Sequence, residues 1–136
     1  MAELNHSQRA MFSAPNVMHV ATTLPSGAPH SVPVWCRMEG DRIAFFTQAG
    51  SRKARNLARD GRVALSAVAH ENPFHMIQVR GQVAETLHGD QALEVIDRLS
   101  DDYTGKPFPM RDMTAFLIEP ERSTSMNLPF EHTPPS

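Results

Sequence analysis

The chain has a single cysteine, Cys36, which excludes an intramolecular disulfide and a thiolate cluster for zinc or iron–sulfur binding. No apolar run approaches the roughly 20 residues that a membrane-spanning helix needs. Met1 to Gln8 lacks the apolar core of a secretory leader, so none is expected. Charge imbalance is also missing. Lys plus Arg number 13 and Asp plus Glu number 15, intermixed along the chain, so neither a general nucleic-acid surface nor a basic membrane patch is expected. The seven histidines stand at 6, 19, 30, 70, 75, 88 and 132 without His-Glu-x-x-His or comparable spacing, and no metal site is expected. Neither a Gly-x-Ser-x-Gly elbow nor a Cys–His pairing points to a catalytic nucleophile. Cys36, set between Trp35 and Arg37 in an apolar run, reads as a buried, inert thiol. The expected location is a reducing cytoplasm.

What is present fits one domain over residues 1–136, with a disordered tail expected from about 130. Asn5 or Ser7 can cap a short helix through Phe12. Strands are expected over Val17–Leu24, Pro29–Met38 and Arg42–Thr47, joined by the turns Pro25-Ser26-Gly27 and Glu39-Gly40-Asp41. Pro29 and Pro33 argue that part of the second strand lies at an edge or against a ligand. Ser51 can cap a helix over Arg52–Arg59, followed by strands at Val63–Val68 and His75–Leu87, with Glu71-Asn72-Pro73 as a loop. Gly81 marks a bulge or a close backbone approach. An amphipathic helix is expected over Asp90–Leu99, a loop over Tyr103–Arg111, a strand at Thr114–Ile118 and a further one at Ser123–Leu128. About six strands with tight turns make a small antiparallel barrel with helices outside it.

Two segments carry chemistry. In Phe46-Thr47-Gln48-Ala49-Gly50-Ser51-Arg52-Lys53 a strand ends on a hydroxyl residue and a helix opens with Ser, Arg and Lys. Helix N-termini expose unpaired N–H groups and partial positive charge, so cations in the first turn are unfavourable unless an anion joins them. A phosphate would supply that anion, with Thr47 and Ser51 as further donors; a solvated basic helix face is the alternative. This is not a phosphate-binding Gly-Lys-Ser/Thr loop. The second segment is Ser31-Val32-Pro33-Val34-Trp35, where a proline-broken strand offers an apolar wall and free backbone groups to a ring. A tryptophan that only fills the core is the simpler reading of those residues taken alone.

Pro25-Ser26-Gly27-Ala28-Pro29, Val32-Pro33-Val34-Trp35, Phe45-Phe46-Thr47, Ser51-Arg52-Lys53-Ala54-Arg55-Asn56-Leu57 and Val79-Arg80-Gly81 together resemble the pyridoxamine-phosphate-oxidase-like split β-barrels. Within them the closest pattern is the branch using coenzyme F420, a phosphorylated 5-deazaflavin. The resemblance runs from about Phe12 to Leu128. It implies a mainly β, six-stranded antiparallel split barrel and a homodimer with cofactor at the interface. Thr47, Ser51, Arg52 and Lys53 would hold the phosphate, and Phe46 would lie near the ribityl chain. Ser31, Val32, Pro33, Val34 and Trp35 would run along the ring, while Met76 and Gln78 would approach from the partner subunit. Ser31 stands where the family's FMN oxidases carry arginine, and Ser125-Met126-Asn127-Leu128-Pro129 replaces their terminal Trp and Arg motif. Both departures favour F420 over FMN. The implied activity is hydride transfer from deazaflavin to an unsaturated small-molecule substrate. An FMN-dependent oxidoreductase and a non-catalytic cofactor-storage protein are the alternatives.

Overall fold

Residues 4–133 are described by the structure, a computed structural model. Asn5 opens the first helix, α1 (His6–Ser13), through a reciprocal cap: Gln8 N donates to Asn5 Oδ1 at 2.9 Å, and Asn5 N to Gln8 Oε1 at 3.0 Å. Its apolar side sends Met11 and Phe12 into the core. Then follow β1 (Val17–Thr23), β2 (Pro29–Glu39), β3 (Arg42–Gln48), α2 (Arg52–Arg59), β4 (Arg62–Ala69), β5 (Asn72–Leu87), α3 (Gly89–Thr104) and β6 (Met113–Asn127). The strands close into a barrel in the order β1-β2-β3-β6-β5-β4, every pairing antiparallel. The fold is therefore the expected mainly β, six-stranded antiparallel barrel.

Period-two alternation sorts the side chains. Met18, Val20, Phe45, Leu65, Val79 and Ile118 point inward and are buried, and Phe45 stacks on its cross-strand partner Phe116 with ring centroids 5.4 Å apart. A second apolar layer lies outside the barrel, where Ala92, Val95, Ile96 and Leu99 of α3 cover Ala44 and Ala115. Helix α2 is fastened to β1 by the buried Asn56, whose Nδ2 donates to Thr22 Oγ1 at 3.0 Å.

One register detail prepares the site. Residues Pro29 to Trp35 pair with β1, but pairing with β3 starts only at Cys36↔Phe45. The proline-bearing half of β2 thus has one open side, where missing N–H groups cost no ladder bond.

Three elements differ from the sequence reading by more than one residue. Asn72 already pairs with Ala69 across a tight turn, so β5 starts within the expected loop. Helix α3 runs five residues beyond Leu99, to Thr104, because buried Ser100 and half-buried Tyr103 continue its inward face. The two expected C-terminal strands are one, β6, continuous through Pro120. The register shift that pairs Arg80 with Arg122 and Gly81 with Pro120 lets the strand pass the proline. Gly81 is needed there for space: a Cβ on it would lie 2.2 Å from the Glu119 carbonyl oxygen. Of the tail, residues 134–136 lie outside the described ones, and the Phe130 ring lies 5.5 Å from that of Phe74.

Candidate functional site

The end of β3 and the start of α2 meet through two hydroxyls. Thr47 Oγ1 and Ser51 Oγ lie 2.9 Å apart, and Ser51 Oγ accepts the Ala54 N–H at 3.2 Å as the helix cap. Gly50, at φ 76°, makes the tight turn between them. The N–H groups of Arg52 and Lys53 precede the first intrahelical bond, Arg55 N to Ser51 O at 2.9 Å, and are left for an outside acceptor. The first turn holds no acidic side chain, and neither Arg52 nor Lys53 has an ion-pair partner among the described residues. Lys53 is half-buried, and loss of solvent holds its ammonium below the usual lysine value. Two hydroxyls, free helix N–H groups and two uncompensated cations form a donor set suited to a phosphate.

Lys53 also lines an adjoining cleft of about 330 Å³, with Val17, Pro33, Val34, Trp35, Phe46 and Phe108. Three of its seven lining residues are aromatic. Phe46 and Phe108 meet edge to face at 4.9 Å, and Trp35 lies 6.2 Å from each. The indole is fixed from behind by Tyr103, stacked at 4.9 Å with 10° between planes. Tyr103 in turn donates its hydroxyl to Asn16 O at 2.5 Å and accepts the Cys36 N–H at 3.1 Å. Burial pushes the Tyr103 hydroxyl up to about 12 and also pushes the Cys36 thiol up, so both stay protonated at neutral pH. Of the residues lining this cleft, only Lys53 is ionisable.

The structure brings Pro33, Val34, Trp35, Phe46 and Lys53 to one cleft and sets Thr47, Ser51 and Arg52 at the helix start beside it. Ser31 is exposed further along β2, and Val32 turns inward against the barrel core. Met76 and Gln78 lie in a separate cleft of about 490 Å³ on the outer sheet face, lined also by His19, Val68 and Met126. Val17 lines both clefts. Val17 and Phe108 are site residues that sequence reasoning missed. Val17 reads only as the first residue of a strand, and Phe108 sits in a Gly- and Pro-containing loop without periodicity.

An antiparallel barrel with an anion-ready helix start beside an aromatic cleft defines the class. The chain belongs to the pyridoxamine 5'-phosphate oxidase family, whose description matches residues 4–127. It is 33% identical over 88 residues to the pyridoxine/pyridoxamine 5'-phosphate oxidase of Edwardsiella ictaluri, covering 64% of this chain and 38% of that protein. The chain therefore spans well under half the length of that relative. Among solved structures, an F420 reductase superposes with a TM-score of 0.79 at 24% identity, covering 89% of this chain and 98% of that one. A conserved hypothetical protein from Mycobacterium tuberculosis also gives 0.79, at 22% identity, covering 98% and 94%. At these identities the solved structures establish the fold.

Proposed function

We propose that the chain is a coenzyme F420-dependent reductase that passes a hydride to an unsaturated small-molecule acceptor. The observation that carries this reading is Lys53, which belongs to the basic helix start and lines the aromatic cleft, joining a phosphate site to a ring site. Thr47, Ser51, Arg52 and Lys53 would hold the phosphate. Pro33, Val34 and Trp35 would lie along the ring, with Phe46 as a wall. When bound, the reduced deazaflavin supplies a hydride. The protein aligns ring and acceptor in a largely apolar cleft. The cleft offers no side chain as an acid other than Lys53, so solvent is assigned the final proton.

Ser31 supports F420 over FMN. The FMN phosphate is a monoester carrying about −1.5 to −2 charges at neutral pH, whereas the F420 phosphate is a diester with a single charge. A neutral residue in place of an arginine suits the smaller charge. The superposing F420 reductase agrees with this choice at the level of fold. The family description favours the second reading, an FMN-dependent oxidoreductase.

The same reading assigns a second copy of the chain to the outer sheet face, where Val17, Val68 and Met126 are exposed by 55%, 45% and 53%. Met76 and Gln78 would then reach the partner's cofactor. A cytoplasmic location goes with this proposal; among the described residues no helix is long and apolar enough to cross a membrane. Fluorescence titration of the protein with both oxidised cofactors tests the reading, followed by oxidation of the reduced cofactor with a panel of enones and imines. Cofactor binding without oxidation by any acceptor would favour the storage role.

A further inference from the structure

We propose that the segment Gly105–Arg111 is a strap that holds Phe108 as a wall of the ring cleft, and that Asp97 of α3 is its positioning residue; this rests on the cofactor reading above. A loop containing Gly105, Pro107 and Pro109 has no ladder to fix its course. Here both backbone groups of Phe108 are nevertheless held. Its N–H donates to Asp97 Oδ1 at 3.2 Å, and its carbonyl accepts from Arg111 Nη1 at 3.0 Å. Arg111 closes the arrangement on the same carboxylate, Nη1 to Oδ1 at 2.9 Å and Nη2 to Oδ2 at 3.1 Å. A two-pronged Arg–carboxylate pair fixes direction as well as distance. The start of the strap is tied separately, Lys106 N donating to Thr104 Oγ1 at 3.1 Å.

The consequence is an oriented ring. Phe108 stands at 74° to Phe46 and 90° to Trp35, half-buried, with its side chain on the cleft. Phe46 and Trp35 come from barrel strands, whereas Phe108 comes from the strap and depends on Asp97 for its place. Arg111 holds the Asp97 carboxyl below its usual range, so the pair is ionised at neutral pH. The strap should therefore set affinity for a planar aromatic ring and leave affinity for the phosphate unchanged.

Ring and phosphate contributions separate experimentally. Wild type, Phe108→Ala, Phe108→Leu, Asp97→Asn and Arg52→Ala are titrated with each cofactor and with its phosphate-free ring analogue, riboflavin or 8-hydroxy-5-deazariboflavin. Phe108→Ala is expected to weaken cofactor and analogue by the same factor, about five- to tenfold. Phe108→Leu should recover part of that loss, and Arg52→Ala should weaken the phosphorylated ligand alone. Trp35, the only tryptophan, supplies a readout without ligand. In Asp97→Asn its emission should become more accessible to acrylamide while the denaturation midpoint stays close to wild type. If wild type binds a ring and Phe108→Ala binds it equally well, the strap proposal is overturned. If wild type binds neither cofactor, the proposed function fails, and Trp35 quenching still decides the strap: unchanged quenching in Asp97→Asn overturns it.

Discussion

The hydroxyls of Thr47 and Ser51 lie 2.9 Å apart, so the last inward residue of β3 and the cap of α2 act as one unit. Ser51 serves two ends at once, since its oxygen also takes the Ala54 N–H. Replacing Ser51 by Ala should cost ~1 kcal/mol of stability through the lost cap. It should also weaken phosphorylated cofactor more than the phosphate-free ring. Urea denaturation beside paired titrations checks this; equal weakening of both ligands would remove Ser51 from the phosphate site.

Lys53 gives the site a pH dependence with a definite sign. Burial favours its neutral form in the free protein, whereas a bound phosphate favours the ammonium. Affinity should be full below the free-protein value and fall as pH rises from that value towards the bound one. Because burial lowers the free value, the fall should begin below the ordinary lysine range. Titrations from about pH 7.5 upward also avoid the ionisation near 6 of the FMN monoester, which the F420 diester lacks. Lys53→Arg should abolish the fall, since guanidinium stays charged. Lys53→Ala should weaken binding by ~1.5–3 kcal/mol, the worth of a charge-assisted hydrogen bond.

Gly81 is a packing requirement of the bulge. The Gly81→Ala methyl would sit 2.2 Å from the backbone oxygen of Glu119, which cannot swing aside as a side chain would. A loss of about 2 kcal/mol or more is expected, at the upper part of the usual overpacking range. The shift in denaturant midpoint measures it, and a change under about 0.5 kcal/mol would show that the strands part easily.

Val68 and Met126 test the second copy. Each is about half exposed on the outer sheet face, so Val68→Glu or Met126→Glu should leave the fold intact. Sedimentation should give a dimer for wild type and a monomer for either variant. A monomeric wild type at micromolar concentration would remove the partner from the proposal, and with it any role for Met76 and Gln78 across an interface.

Much of this architecture is legible in the sequence. The meander β1–β3 follows from short strand-forming runs joined by the Pro25-Ser26-Gly27 and Glu39-Gly40-Asp41 turns, and α2 from the Ser51 cap. Even the open side of β2 was signalled by Pro29 and Pro33. What was not legible depends on distant partners. Pro120 reads as a strand end, and only its apposition to Gly81 keeps β6 continuous. Phe108 has no local pattern; it reaches the cleft because Asp97, eleven residues away, holds its backbone. Met76 and Gln78 were named through the resemblance alone, and the cleft they occupy is not the one that contains Lys53.

The most direct test of the central claim is a fluorescence titration of the purified protein with oxidised coenzyme F420 and, in parallel, FMN. The account predicts saturable binding of F420, tighter than that of FMN and weakened by ~1.5–3 kcal/mol in Lys53→Ala. Tighter FMN binding would contradict the choice of cofactor, and binding of neither would contradict the site itself.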